Sequence, residues 1–423
     1  MLGLLLVQCS DNTEEEPLPQ VVDDSDAVAD HTLLVYIAGD NSLSGYADNN
    51  IRLMEKGLLK ADSSLNLIVF EDNQKLNKSI LFRLERHNEK LDTVQVADLG
   101  GDLDSADPEV MKRVVKLAFA NSPAKHNGVI LWSHGMSWIP SSSFTASASR
   151  TGNESADNDA DDSSVGADAA EDTCGSQPSK MAAYFGQDID YSDYMELWEL
   201  RSALEEAPHL DYILVDACYF STVEVAYELR GVTDYLLAAP TEVFGTGFPY
   251  QNILSVLPTM NDDNRESVLT DVALAFQNEY GSNGTLALVR TAAMEQVMTQ
   301  WLESRERYAQ VWAKMQNSPK VWFNRLQRYG RNRVGALYYF YDFADVLNQV
   351  AAEAGDSTYQ ADVSDAVAWE YHSAIFTDYM EPLTINTSCG LGVSVPELFQ
   401  LASNSAKMTE AYPLTQWGAA TKE

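Results

Sequence analysis

Cysteine is scarce in this chain: Cys9, Cys174, Cys218 and Cys389 are the only four in 423 residues. Four so widely spaced make no disulfide scaffold and fit no zinc-ligand pattern, so each has to be explained singly. Positive charge is the second shortage. Only 28 Lys and Arg stand against 63 acidic residues, for a net charge of −35. That makes nucleic acid and anionic membrane surfaces poor partners and cationic peptides better ones. An acidic surface that merely keeps the protein soluble is the plainer reading. No apolar run is long enough to span a bilayer. A Gly-x-Ser-x-Gly elbow is missing, which weakens the case for a serine hydrolase, and so is any loop of EF-hand spacing. What is present is 45% hydrophobic and 10% aromatic residues. This suffices for one large core or two modest ones in a largely globular chain.

The apolar runs are short and regularly placed. "TLLVYIAG", "LNLIVFED", "GVILWSHG", "DYILVDAC", "DYLLAAP" and "TLALVRT" alternate with helical patterns such as "LSGYADNNIRLMEKGLLK". Asp107-Pro108 opens the helix "PEVMKRVVKLAFAN", with proline at a first-turn position where its missing N–H costs nothing. Continuous β-branched and leucine-rich strands between helices predict an α/β fold with a mostly parallel central β-sheet flanked by helices. A mainly helical C-terminal part is expected over about 292–378, and "CGLGVSVP" is a candidate late strand. Residues 139–180 break the rhythm, being rich in Ser, Ala, Asp and Gly. With too little apolar surface to offset ordering entropy, they predict a disordered, exposed acidic insert holding Cys174 as an incidental thiol.

The N-terminus "MLGLLLVQC" followed by "SDNTEEEPLPQ" resembles a bacterial lipoprotein signal, in which Cys9 becomes the lipidated first residue. No Lys or Arg precedes the run, and Gln8 stands where a small residue is usual. The resemblance implies a signal segment over 1–9, a polar tether over 10–30 and a folded domain over 31–423. The acidic run after Cys9 resembles the signal that sends lipoproteins of Gram-negative gut bacteria to the cell surface. Outer-membrane or cell-surface placement is therefore expected, with the periplasm as alternative and membrane contact only through the lipid. A frayed cytoplasmic N-terminus is the competing reading.

In open parallel sheets, ligands and catalysis gather at the carboxyl ends of the strands. Ser133-His134-Gly135 ends one strand and Asp216-Ala217-Cys218 another. If these strands are neighbours, His134 and Cys218 face each other. An imidazole beside a thiol of pKa about 8.5 raises its thiolate fraction and can then protonate a leaving amine. Backbone N–H groups of Gly135 and Cys218 could form an oxyanion hole, and a helix starting near Ser221 would add its positive end. The bland alternatives are a small buried cysteine and a satisfied core histidine.

These segments resemble the His-Gly and Asp-Ala-Cys motifs of the clostripain family of cysteine peptidases, relatives of caspases, legumains and gingipains. "LLVYIAGDNSLSGYADNNIRLMEK", "GVILWSHGMSW" and "DYILVDACYFSTVEVAYELR" followed by "YLLAAPTEVFGTGFPY" extend the likeness from about Thr32 to Tyr250. It continues weakly through "YYFYDFADVL" and "GLGVSVP". Met136-Ser137 and Tyr219-Phe220 depart from the family's common residues and stand where they could alter the pocket wall. The resemblance implies a caspase-like fold, with Cys218 as nucleophile, His134 as acid and base, and cleavage after Arg or Lys. Asp216 matches the family's candidate for the negative charge at the pocket floor, its alternative being a structural aspartate; Glu242 is a second candidate. Family members are commonly processed between the histidine and the cysteine. Here Arg150 and Lys180 are the only basic residues between Gly135 and the insert's end. Some relatives depend on calcium, for which the acidic insert is the one loose candidate; no other cofactor or metal site is expected. The competing function is a non-catalytic surface lipoprotein that binds peptides or glycans on a degenerate peptidase fold.

Overall fold

The computed structural model describes residues 28–61, 65–76, 78–87, 90–145, 185–188, 193–281, 283–330, 339–377 and 382–422. Cys9, Arg150, Cys174 and Lys180 lie outside the described residues, as do the signal segment, most of the tether and most of the acidic insert.

The strands follow in chain order: β1 Ala29–Gly39, β2 Leu65–Asn73, β3 Ile80–His87, β4 Lys90–Ala97, β5 Ala124–Trp132, β6 Phe185–Asp188, β7 Asp193–Met195, β8 Leu210–Asp216, β9 Thr233–Ala238, β10 Thr285–Arg290, β11 Tyr341–Asp342 and β12 Val367–His372. Nine of them form one sheet in the order β12-β10-β9-β8-β5-β1-β2-β3-β4. The five central strands run parallel, and both margins turn antiparallel. Parallel strands need covering on both faces, and the central runs are accordingly buried throughout.

Side chains alternate between two cores, as a period of two requires. Leu34, Tyr36, Val129, Leu131, Ile213 and Val215 enter one, against helix α2 (Pro108–Ala120) and the C-terminal helices. Leu33, Val35, Ile37, Ile130, Trp132 and Leu214 enter the other, against helix α1 (Ser44–Lys60) and helices Tyr250–Val256 and Arg265–Tyr280. Each fully buried aliphatic side chain contributes about 1.5–3 kcal/mol, so the central strands are the most strongly held part of the chain. Helix α2 begins as expected, with Pro108 in its first turn and the Asp107 side chain accepting from the Glu109 N–H.

One expectation needs correction. The C-terminal part is helical over Met294–Arg307, Ala309–Asn317, Pro319–Arg325 and Phe343–Glu353, but not as far as residue 378. Val367–His372 is instead the edge strand β12, antiparallel to β10. The late strand expected in "CGLGVSVP" is present as the two-residue strand Gly392–Val393, paired with β11. Among the described residues, no helix is long and apolar enough to cross a membrane.

Candidate active site

Strands β5 and β8 are parallel neighbours, with Trp132 opposite Asp216. The next residues therefore leave the sheet side by side. The Ser133 N–H donates to the Asp216 carbonyl at 3.4 Å, which ties the histidine loop to the cysteine loop at their origin. The condition on which His134 and Cys218 are expected to face each other, that their strands be neighbours, is met.

His134 places Nε2 2.9 Å from the Ser42 hydroxyl, which comes from the turn between β1 and α1. Burial pushes the imidazole down to about 4, because charging a ring in a poorly solvated site is costly. At neutral pH the ring is uncharged, so the site rests with an imidazole base and not a preformed imidazolium. Cys218 is partly buried, and its sulfur accepts the Val243 N–H at 3.3 Å. Nothing in the sequence marks Val243 for this role, since only its backbone takes part.

The turn carrying the sulfur is strained. Tyr219 has φ +63°, a left-handed conformation unfavourable for a bulky residue. Three contacts hold it: its N–H donates to the Thr241 carbonyl at 2.9 Å, its hydroxyl donates to Glu242 at 2.9 Å, and its ring stacks on Phe340. Ser137, at φ +60°, is pinned through a 2.7 Å hydroxyl contact with Thr222. Thr222 caps the six-residue helix Val223–Glu228, the one expected to begin near the sulfur. Met136, Ser137, Tyr219 and Phe220 are all buried, so the family departures support the loops from within.

Gly135 is required by close packing. A Cβ there would lie 2.5 Å from the Phe220 ring and 2.9 Å from the Ala217 Cβ. Overpacking of this kind costs about 1–3 kcal/mol. Gly135→Ala is therefore expected to lower the urea midpoint of unfolding correspondingly; a midpoint equal to the parent's would show that the loop has room. Strand β6, which resumes after the insert, lies against this loop. Phe185 bridges to Gly135, and the Gly186 N–H donates to the His134 carbonyl at 3.2 Å. Asp188 Oδ2 accepts from the Ser105 N–H at 3.1 Å.

Asp216 is buried, and both its bonds fall on one oxygen. Oδ2 accepts from the Phe248 N–H at 3.0 Å and the Tyr250 hydroxyl at 2.5 Å. Burial nevertheless raises this carboxyl to about 7. Gly247, at φ +73°, passes so close that a Cβ would lie 2.7 Å from the same oxygen. Glu242 is half-buried beside the cysteine turn, next to the residue whose N–H meets the sulfur. The two sequence-named carboxylates thus both flank Cys218. Among the described residues, no group of three or more His, Cys, Asp or Glu could hold a metal ion.

The chain and its fold have counterparts among known proteins. Clostripain from Hathewaya histolytica is 25% identical over 266 residues, covering 56% of this chain and 44% of that protein. The chain therefore spans less than half the length of that relative. The structure of an inactive zymogen C11 protease from Parabacteroides distasonis is matched at 25% identity and a TM-score of 0.70, over 94% of this chain and all of that one. The fold is shared, at 23% identity and a TM-score of 0.67, with a secreted C11 cysteine protease from Bacteroides thetaiotaomicron, over 93% and 99% of the two chains. The model of the clostripain family matches residues 35–159 and 169–406, a span that contains both loops and nearly the whole sheet, and the chain belongs to that family.

Proposed function

We propose that this protein is a cysteine endopeptidase that cleaves peptide bonds after Arg or Lys. The observation that carries the reading is the register of β5 and β8, adjacent strands whose ends lead into His134 and Cys218, with a buried carboxylate, Asp216, two residues before the sulfur. In the reaction His134 takes the thiol proton as Cys218 attacks the scissile carbonyl, and the backbone N–H groups of Gly135 and Cys218 hold the oxyanion. The protonated imidazole then delivers its proton to the leaving amine, and water hydrolyses the thioester. Asp216 supplies the charge for a basic side chain, with its Oδ1 clear of the bonds made by Phe248 and Tyr250; Glu242 is the second candidate. Turnover of peptides ending in Arg, Lys, Asp and Asn tests the reading. Hydrolysis confined to Arg and Lys is expected, and no hydrolysis of any, before or after trypsin treatment, would leave the peptide- or glycan-binding reading.

The interval between the two loops is proposed as the activation linker. Between Gly135 and Lys180 its only Lys or Arg residues are Arg150 and Lys180, so cleavage is expected after either or both, giving new termini at Thr151 or Met181. Only Met181–Tyr184 separate the second cut from Phe185, which bridges to Gly135; freeing that end acts directly on the strand that lies against the histidine loop. Intact-mass analysis of parent and Cys218→Ala protein, purified in parallel, checks this. Self-processing requires a cut parent and an uncut mutant, whereas identical nicking assigns the cut to another protease. Export with a lipid on Cys9 belongs to the same reading, and would appear as a lipid-sized mass increment on an N-terminal peptide from membrane fractions.

A further inference from the structure

The order β8-β5-β1 in the sheet sets the His134 loop between two others: the cysteine loop on the β8 side and the β1–α1 turn on the other. An imidazole has two nitrogens on different edges, and here one of them is engaged from the β1 side, by Ser42 at 2.9 Å. The turn that presents Ser42 is firmly built. Asn41, fully buried, donates from Nδ2 to the Ala38 carbonyl at 2.8 Å and accepts the Leu43 N–H at 2.9 Å. The same amide reaches Ser133, whose hydroxyl also donates to the Ala38 carbonyl at 2.7 Å. Ser133 is the residue before His134, so one buried network fixes the Ser42 turn and the histidine loop relative to each other.

We propose that Ser42 is a positioning residue that selects the tautomer of His134: it accepts the Nε2 proton, leaving the Nδ1 lone pair for Cys218. A neutral imidazole carries one N–H and one lone pair, and only the lone pair can take the thiol proton. With Nε2–H held by Ser42, the proton lost from sulfur moves to Nδ1, and from Nδ1 to the leaving amine. While the ring is positively charged its bond to Ser42 is charge-assisted and strengthens, so the contact favours the protonated state over the resting one. The partner of the ring is thus a neutral hydroxyl. The inference rests on the reading of His134 and Cys218 as the reacting pair.

The test separates the two. In Cys218→Ala protein with 15N-labelled histidine, the resonances of His134 among six histidines are assigned by loss in His134→Gln. The ring of the parent is expected as the Nε2–H tautomer, Ser42→Ala as a mixture, and Ser42→Thr as the parent. In processed enzyme with Cys218 intact, Ser42→Ala should lower kcat for an Arg peptide roughly tenfold, the effect of one lost hydrogen bond to a charged group, with KM unchanged. Ser42→Thr should recover it. An Nδ1–H ring in the parent, a tautomer indifferent to Ser42→Ala, or a kcat loss that threonine does not recover overturns the role of Ser42. Parent-level turnover by Cys218→Ala would overturn the reacting pair instead, and the ring spectrum would still report which nitrogen Ser42 holds.

Discussion

Cys218→Ala is expected to reduce turnover of an Arg peptide by about four to six orders of magnitude, the scale on which removing a nucleophile abolishes covalent catalysis. Stability should change little. The side chain is small and only partly buried, and its contacts with the Val243 N–H and carbonyl are weak sulfur hydrogen bonds. Cys389→Ala should retain activity, because Cys389 lies in the C-terminal part of the core, where its N–H bonds to Asp342. Cys174→Ala, in the insert, should do likewise. The measurements are steady-state rates on processed enzyme and a urea melt of each variant. A folded Cys218→Ala protein that turns over at the parental rate sinks the mechanism.

The second large effect is on selectivity. Asp216→Asn keeps the shape of the side chain but replaces a carboxylate with an amide that offers N–H donors to an incoming guanidinium. One-sided loss of a desolvated ion pair costs about 3–5 kcal/mol, roughly two to three orders of magnitude in the ratio of kcat/KM for Arg over Gln substrates. The pH dependence has a definite sign. With its carboxyl raised to about 7, Asp216 holds a proton in the empty enzyme below that pH, and a cationic side chain has to displace it. KM for Arg peptides should therefore rise as pH falls below 7 in the parent and stay flat through that range in Asp216→Asn. Stability moves the other way. The native carboxyl keeps a proton that the unfolded chain releases between the ordinary carboxylate range and about 7, so stability contributed at this site falls as pH rises through that window. An unchanged Arg-to-Gln ratio in a folded Asp216→Asn protein transfers the pocket charge to Glu242.

The parts of this molecule legible in the sequence are those whose burial is complete on both faces. "GVILW" and "DYILV" could be read as strands, and their ends as a site, because nothing polar interrupts them before the reactive residues. The margins of the sheet carried weaker signals. Strand β4 is mostly exposed or half-buried, and β12, "VAWEYH", is half-buried throughout. The alternation in "LDTVQVAD" still marks β4 as a strand, whereas "VAWEYH" offers no clean alternation and reads with the helical stretch before it. Ser42 was invisible for another reason. It is one polar residue in a turn, and its partner lies 92 positions away. The donor to the sulfur is a backbone group, which no side-chain pattern can announce. The positive φ of Tyr219 defied expectation because glycine, the residue that usually marks such a turn, is absent there.

The order of the strands has a consequence for how the protein comes apart. Every strand before the insert lies on one side of the boundary between β5 and β8, and every later strand of the main sheet lies on the other. A cut in the insert therefore yields two polypeptides, each carrying half of the main sheet, joined by the β5–β8 ladder and by packing across it such as the Trp138 Nε1–H bond to Ser394, with His134 following β5 and Cys218 following β8. The small strand β6 reaches back over the seam, where Phe185 packs on Tyr36 of β1. Before cutting, refolding from urea is a unimolecular event whose midpoint is independent of protein concentration. Afterwards it requires two chains to meet, so the midpoint should climb with concentration and recovery should fail on dilution. Processing would thus join activation to irreversibility: once the cut protein is unfolded in dilute surroundings, its two reacting side chains are on separate molecules.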